Sequence, residues 1–283
     1  MTHSRRSLAA VAALLSAVAA CGTTAEAGPA GPVAAELALP FDAYRLGHAG
    51  ESEIQQAQSL LVKRCMRGRG LEITLPESVS APGSLYDSPN MRRYGVLDDA
   101  TALEHGYHFP KTAEETATSR ELQNWSATLT DEQSTALYGE EGKPGCADQA
   151  DTDIAKAVPE GDDDFLSTHD FDSLDESAKT ADVVRVTAAW RDCMAAAGFR
   201  YADPNAAISD PRWDLDSPAV PEVEVETARA DVRCKDSTRL VSVWHDAEVS
   251  LQRQVIDRNA EQFGRLEAGN RTRLANARRI LAG

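Results

Sequence analysis

Apolar residues return at helical spacing in three stretches of the chain. Ile54, Leu61 and Cys65 share one stripe, and Val183, Val186, Trp190, Cys193 and Ala197 form a second. Val241, Trp244, Leu251, Val255, Phe263, Leu266 and Leu274 mark a third. Intervals of three, four and their multiples place such residues on one face of an α-helix. The first two stretches end alike: Cys65-Met66 is followed by Arg67-Gly68-Arg69 and then Gly70-Leu71, and Cys193-Met194 by three alanines and then Gly198-Phe199. A glycine at that point supplies the left-handed residue that stops a helix, and the apolar residue after it folds back on the last turn. Two copies of this pattern predict a duplicated helical unit. The third stretch predicts a long C-terminal helix from Thr238 to Leu281, about 65 Å at 1.5 Å per residue, packed along its own domain. A break or frayed end is expected at Gly264 or Gly269, because glycine costs about 1 kcal/mol inside a helix.

Between these stretches the polar pattern changes. Residues 72 to 145 are loop-rich, punctuated by Pro76, Pro82-Gly83, Ser88-Pro89-Asn90 and Gly106. Within them Thr130 and Gln133 match a capping box opening a helix that runs to Leu137-Tyr138 and stops at Gly139. From Pro159 to Glu176 the chain is strongly acidic and reads as a solvated linker. The expected organisation is an export signal over 1–20, a tether over 21–40, a first helical and loop-rich unit over 41–158, an acidic linker over 159–177, and a second helical unit over 178–283. The fold class is mainly α, two related helical units stapled by disulfides, with the long C-terminal helix.

The N-terminus has a different pattern. Arg5 and Arg6 precede an unbroken small and apolar run from Leu8 to Ala20, 13 residues long. As a helix it spans about 20 Å, short of a hydrocarbon core of about 30 Å, so it reads as a cleavable signal. The arginine pair within Ser4-Arg5-Arg6-Ser7-Leu8 also fits twin-arginine export. The run ends in Val18-Ala19-Ala20-Cys21-Gly22, which resembles the lipobox of bacterial lipoproteins and makes Cys21 the expected lipid-carrying first residue, palmitate included. Val18 stands where that pattern usually has leucine. The following segment through Gly28-Pro29-Ala30-Gly31-Pro32 has the composition of a semi-flexible spacer.

Charge and cysteine content sharpen this address. The formal charge of −16 becomes −18 when the signal leaves with its two arginines. Such a surface repels nucleic acid and anionic headgroups, so membrane attachment falls to the N-terminal lipid. Four cysteines remain besides Cys21, and an even number in an exported chain predicts two disulfides among three connectivities. The economical pairing is Cys65 with Cys146 and Cys193 with Cys234, one staple per unit, each contributing on the order of 3 to 4 kcal/mol by loop-closure entropy.

The lipobox, the two Cys-Met units, Arg93-Tyr94-Gly95-Val96, Leu137-Tyr138-Gly139 and the Trp244 helix together resemble a group of actinobacterial, Streptomyces-type secreted lipoproteins without assigned function. The resemblance covers most of the mature chain and carries no active-site residue with it. It implies an accessory role in the cell envelope.

Chemistry-bearing patterns are sparse. There is no Gly-x-Ser-x-Gly, no Ser-x-x-Lys and no glycine-rich phosphate loop. His105 and His108 are the one close histidine pair and the candidate metal ligands, without the further ligands of a zinc site. Trp213, in a loop, is the candidate for stacking on a ligand. The expected role is that of a non-enzymatic binding or accessory component with no cofactor. The alternatives are a secreted hydrolase using scattered acids or the His105 and His108 pair, and an accessory subunit of an ABC-type envelope transporter. The expected partners are the membrane, through the lipid, and an envelope or transporter protein, with oligomeric state open.

Overall fold

The computed structural model describes residues 37–76, 90–110, 120–121, 124–161 and 164–283. The signal, Cys21 and the tether as far as residue 36 lie outside the described residues. In chain order the helices are α1 (Gly47–Gly68), α2 (Asp99–His105), α3 (Asp131–Tyr138), α4 (Cys146–Ile154), α5 (Phe165–Ala178), α6 (Ala181–Ala196), α7 (Pro204–Ile208), α8 (Glu222–Thr238), α9 (Leu240–Arg258) and α10 (Ala260–Ala282). Between α3 and α4, β1 (Gly139–Glu140) pairs antiparallel with β2 (Lys143–Pro144). Turns of 3-10 helix cover Pro40–Tyr44 and Ser126–Thr128.

The repeated motif folds as its residues require. Gly70 and Gly198 take φ of +79° and +96°. The N–H groups of Leu71 and Gly70 donate to the carbonyls of Met66 and Arg67, and those of Phe199 and Gly198 to Met194 and Ala195. These are the two paired bonds of a Schellman turn, which satisfy carbonyls the helix end would otherwise leave open. Cys65 on α1 is bridged to Cys146, the first residue of α4, and Cys193 on α6 to Cys234 on α8. The chain is therefore mainly α, with two disulfide-stapled helix pairs. In each pair the methionine after the cysteine, Met66 or Met194, is fully buried while the cysteine is half-buried. Ala197 is exposed, because α6 has ended by the time the chain reaches it. Helix α3 opens on the expected capping box, with reciprocal bonds between Thr130 and Gln133, and stops at Gly139, whose φ is +84°.

The expected helix from Thr238 to Leu281 is divided. Arg239, in the left-handed region at φ 57° and ψ 31°, separates α8 from α9, and Asn259 at φ −123° and ψ 30° separates α9 from α10. The break falls at an asparagine rather than at Gly264 or Gly269, both interior to α10. The Asn259 side chain donates to the Val255 carbonyl at 2.8 Å, the local competition with backbone bonding that makes asparagine a helix terminator. Gly269 is buried against Val158, a neighbour 3.5 Å from where a Cβ would stand, so packing offsets its low propensity.

The acidic stretch is not a solvated linker. Most of it forms α5, whose Ser173 and Ser177 are buried, and α5 packs against α9. Nor do the halves stay apart. Tyr94, Val96, Ala102 and Tyr107, from the first half, share one core with Trp190, Met194, Trp213, Val232 and Leu240 from the second. In return α10, the last helix, packs against α1 and α4 through Ile54, Ala57, Ile154 and Ala277. A third cluster around Val62, Met66, Leu137, Cys146 and Ala150 surrounds the first disulfide. The body begins earlier than residue 41, since Leu37 and Leu39 are already buried.

Candidate functional site

Helix α8 carries ionisable residues on its buried face. Glu224, Ala228, Asp231 and Lys235 recur every three or four residues, and all four are inaccessible to solvent. Burying a charge is costly unless it is paired. Lys235 Nζ accordingly lies 2.8 Å from Asp231 Oδ2 and donates to the Val96 carbonyl at 3.1 Å, while Trp190 Nε1 donates to Asp231 Oδ1 at 2.9 Å. Burial pushes the Asp231 carboxyl above its ordinary range, and Lys235 opposes that push. Gly95 makes the approach possible: at φ +84°, a Cβ would stand 2.7 Å from Lys235 Nζ and 2.9 Å from Ile208 Cδ1.

Helix α9 repeats the theme with Glu248 and Gln252, one turn apart and fully buried. Glu248 is paired with Arg93 and accepts from the Tyr94 hydroxyl at 2.7 Å and from Ser173 Oγ at 3.0 Å. Arg93 also reaches Asp170 of α5 at 3.0 Å, as does Arg45 at 3.1 Å. Burial alone would lower the Arg93 guanidinium, but Glu248 and Asp170 outweigh it and hold it firmly charged. Burial, then the adjacent Glu248 charge, drives the Tyr94 phenol up. The Arg93-Tyr94-Gly95-Val96 segment is thus a clasp: two side chains bind α9, and a bare glycine and a carbonyl receive Lys235 of α8.

At the N-terminal end of α8, Glu224 Oε1 accepts the Tyr107 N–H at 2.8 Å and faces His108 Nδ1 at 2.9 Å. Among the described residues its Oε2 has no hydrogen-bond partner, and neither has the Tyr107 hydroxyl, although Asp231 lies beside it. Burial, then Asp231, pushes that phenol up. Gly106, at φ +56°, is required here as Gly95 is above, since a Cβ would come within 2.5 Å of Glu224 Oε1.

No family model, curated protein or solved structure matches this chain. Trp213, the candidate stacking platform, is 5% exposed: it stacks on Tyr107 with centroids 5.7 Å apart and donates from Nε1 to the Ile208 carbonyl at 2.9 Å. Its loop folds inward because the indole closes the main core. His105 is half-buried beside Glu104, whereas His108 has both ring nitrogens engaged, by Glu224 and by the Asp214 carbonyl at 3.0 Å. Among the described residues no three His, Cys, Asp or Glu side chains are grouped to hold a metal ion. Cys65, Cys146, Cys193 and Cys234 are all in disulfides. A surface groove lined by Ile73, Leu75, Trp125, Leu129 and Gln133 flanks the first unit, and Trp125 Nε1 donates across it to the Thr74 carbonyl at 2.7 Å.

The residues missed in the sequence are Glu224, Asp231, Lys235 and Glu248. A signal existed for three of them: within α8 they share the helical stripe of Ala228, where solvent-facing charges would not keep step with small apolar residues. Their partners come from distant loops, which no periodicity reveals. What this arrangement does chemically is fasten loops to helices through neutralised charges.

Proposed function

We propose that the chain is a lipoprotein of the actinobacterial, Streptomyces-like secreted type, held on the outer face of the cytoplasmic membrane by acyl chains on Cys21. There it serves the cell envelope as a non-enzymatic binding or accessory component. The supporting observation is the cysteine count. Of five cysteines, four are consumed by two disulfides within the folded body, which leaves Cys21 outside both bridges. Paired thiols of this kind persist in oxidising compartments, and the unpaired one stands where the lipobox pattern puts the lipid. Among the described residues no helix is long and apolar enough to cross a membrane, so a lipid would supply attachment. Leu37, which is buried and is the first of the described residues, follows Cys21 by 16 positions, a reach of at most about 55 Å. That lets the body stand clear of the headgroups while tethered.

The test is metabolic labelling of the full-length chain with an alkyne palmitate analogue in an actinobacterial host. Label in the membrane fraction, lost in Cys21→Ala, is the expected outcome. Wild-type chain free of label, with residues 1–20 intact and recovered from the cytoplasm, refutes the proposal.

A further inference from the structure

His108 is held between two acceptors. Its Nδ1 lies 2.9 Å from Glu224 Oε1 and its Nε2 3.0 Å from the backbone carbonyl of Asp214. A carbonyl has no proton to give, and this one already accepts the Ser217 N–H at 2.9 Å. Glu224 Oε1 likewise already accepts the Tyr107 N–H. A neutral imidazole offers one N–H and one lone pair, so beside an ionised carboxylate and a carbonyl its lone pair would point at an acceptor. Both bonds form only if the pair carries one additional proton, as an imidazolium beside a carboxylate or as a neutral ring beside a carboxylic acid. In either state the His108–Glu224 pair carries no net charge, which suits a Glu224 side chain that is completely buried.

Other charged and titratable groups packed around the ring do not supply that proton. Arg92 donates to the His108 backbone carbonyl at 2.6 Å, and Asp231 and Lys235, two and three turns along α8, neutralise each other. Tyr107 places its backbone N–H on Glu224, and the carboxylate of Asp214 accepts the Asp216 N–H instead of meeting the ring. The backbone carbonyl of His105 accepts the His108 N–H at 2.9 Å, and its ring lies beside Glu104.

We propose that His108 and Glu224 form a proton-held latch: the proton they share ties the Asp214–Val220 segment to α8, and its loss lets that segment go. The closed form binds one proton more than the open form, so opening is favoured as pH rises. The other end of the loop is anchored separately, through Tyr201 and Arg212 on Asp210, which confines the release to the half that follows Trp213.

Two measurements on the full-length chain test this. In nitrogen NMR of histidine-labelled protein and carboxyl-carbon NMR of glutamate-labelled protein at neutral pH, with His108 and Glu224 assigned by the loss of their signals in His108→Gln and Glu224→Gln, either both ring nitrogens are protonated or the Glu224 carbon reports a carboxylic acid. A singly protonated ring beside an ionised Glu224 overturns the proposal. In hydrogen exchange, corrected for the intrinsic effect of pH, the 214–220 amides are expected to lose roughly ten- to a hundredfold protection between mildly acidic and mildly alkaline buffer, the worth of one charge-assisted bond. The α8 amides should hold, and Glu224→Gln should abolish the pH dependence. Equal protection across that range in the wild type, or unchanged dependence in Glu224→Gln, overturns it.

Discussion

Replacing Lys235 by methionine leaves the shape of a long buried side chain and removes its charge. Asp231 then remains at zero exposure with the Trp190 indole donating to it and the Tyr107 hydroxyl beside it but no cation, and the Val96 carbonyl loses its donor. Breaking a buried ion pair by removing one partner costs about 3–5 kcal/mol, and a bond to a backbone carbonyl about 1 kcal/mol more. The expected loss is therefore roughly 4–6 kcal/mol, a large share of the 5–15 kcal/mol typical of a folded domain. The double variant Asp231→Asn, Lys235→Met keeps an acceptor for Trp190 and buries no charge, so it should recover about half of that loss or more. The assay is denaturant unfolding of each variant at neutral pH with the disulfides intact. Because burial pushes the Asp231 carboxyl up, the folded state binds its proton more readily than the unfolded state, and acidification favours folding at this site. The penalty in Lys235→Met should shrink as pH falls. A single variant within about 1 kcal/mol of wild type, or a double variant no better than the single, would refute the reasoning.

Gly95→Ala meets both a left-handed backbone and a Cβ 2.7 Å from Lys235 Nζ; it should cost on the order of 2–4 kcal/mol, read as a lower unfolding midpoint, and Gly142→Ala, equally left-handed but with open space around it, should cost clearly less. Arg212, through a direct hydrogen bond, holds the Asp210 carboxyl at about 2, down from 3.8. Its contribution to stability is thus present above the higher value and disappears as pH falls toward the lower. Asp210→Asn should destabilise near neutral pH and make no difference below about pH 2, checked by unfolding midpoints across an acid series.

Local features of the fold were legible because their causes are local. The ends of α1 and α6 follow from Gly70 and Gly198, the start of α3 from Thr130 and Gln133, and the disulfide pairing from one cysteine following each Cys-Met unit. What was not legible depended on partners far along the chain. The acidic stretch reads as solvated because nothing near it neutralises Asp170; Arg93 and Arg45, which do, lie in the first half. Trp213 reads as exposed because its loop lacks periodicity, yet Tyr107 gives it a surface to stack on. The split at Asn259 was misplaced onto glycines because propensity was weighed without side-chain competition for the backbone. Of the buried charges, only the helical spacing within α8 was available, and it marks where charges sit without naming what answers them.

The packing of α10 across α1 has a consequence for how the molecule is made. A polypeptide emerges from the ribosome with its beginning first, so α1 is free long before the helix that covers Ile54 and Ala57 has been synthesised. The first Cys-Met unit must wait, with an apolar flank uncovered, until the last two dozen residues arrive. Shortening the chain at its far end therefore damages its near end, and a stop codon before α10 would yield a product that chaperones and proteases recognise.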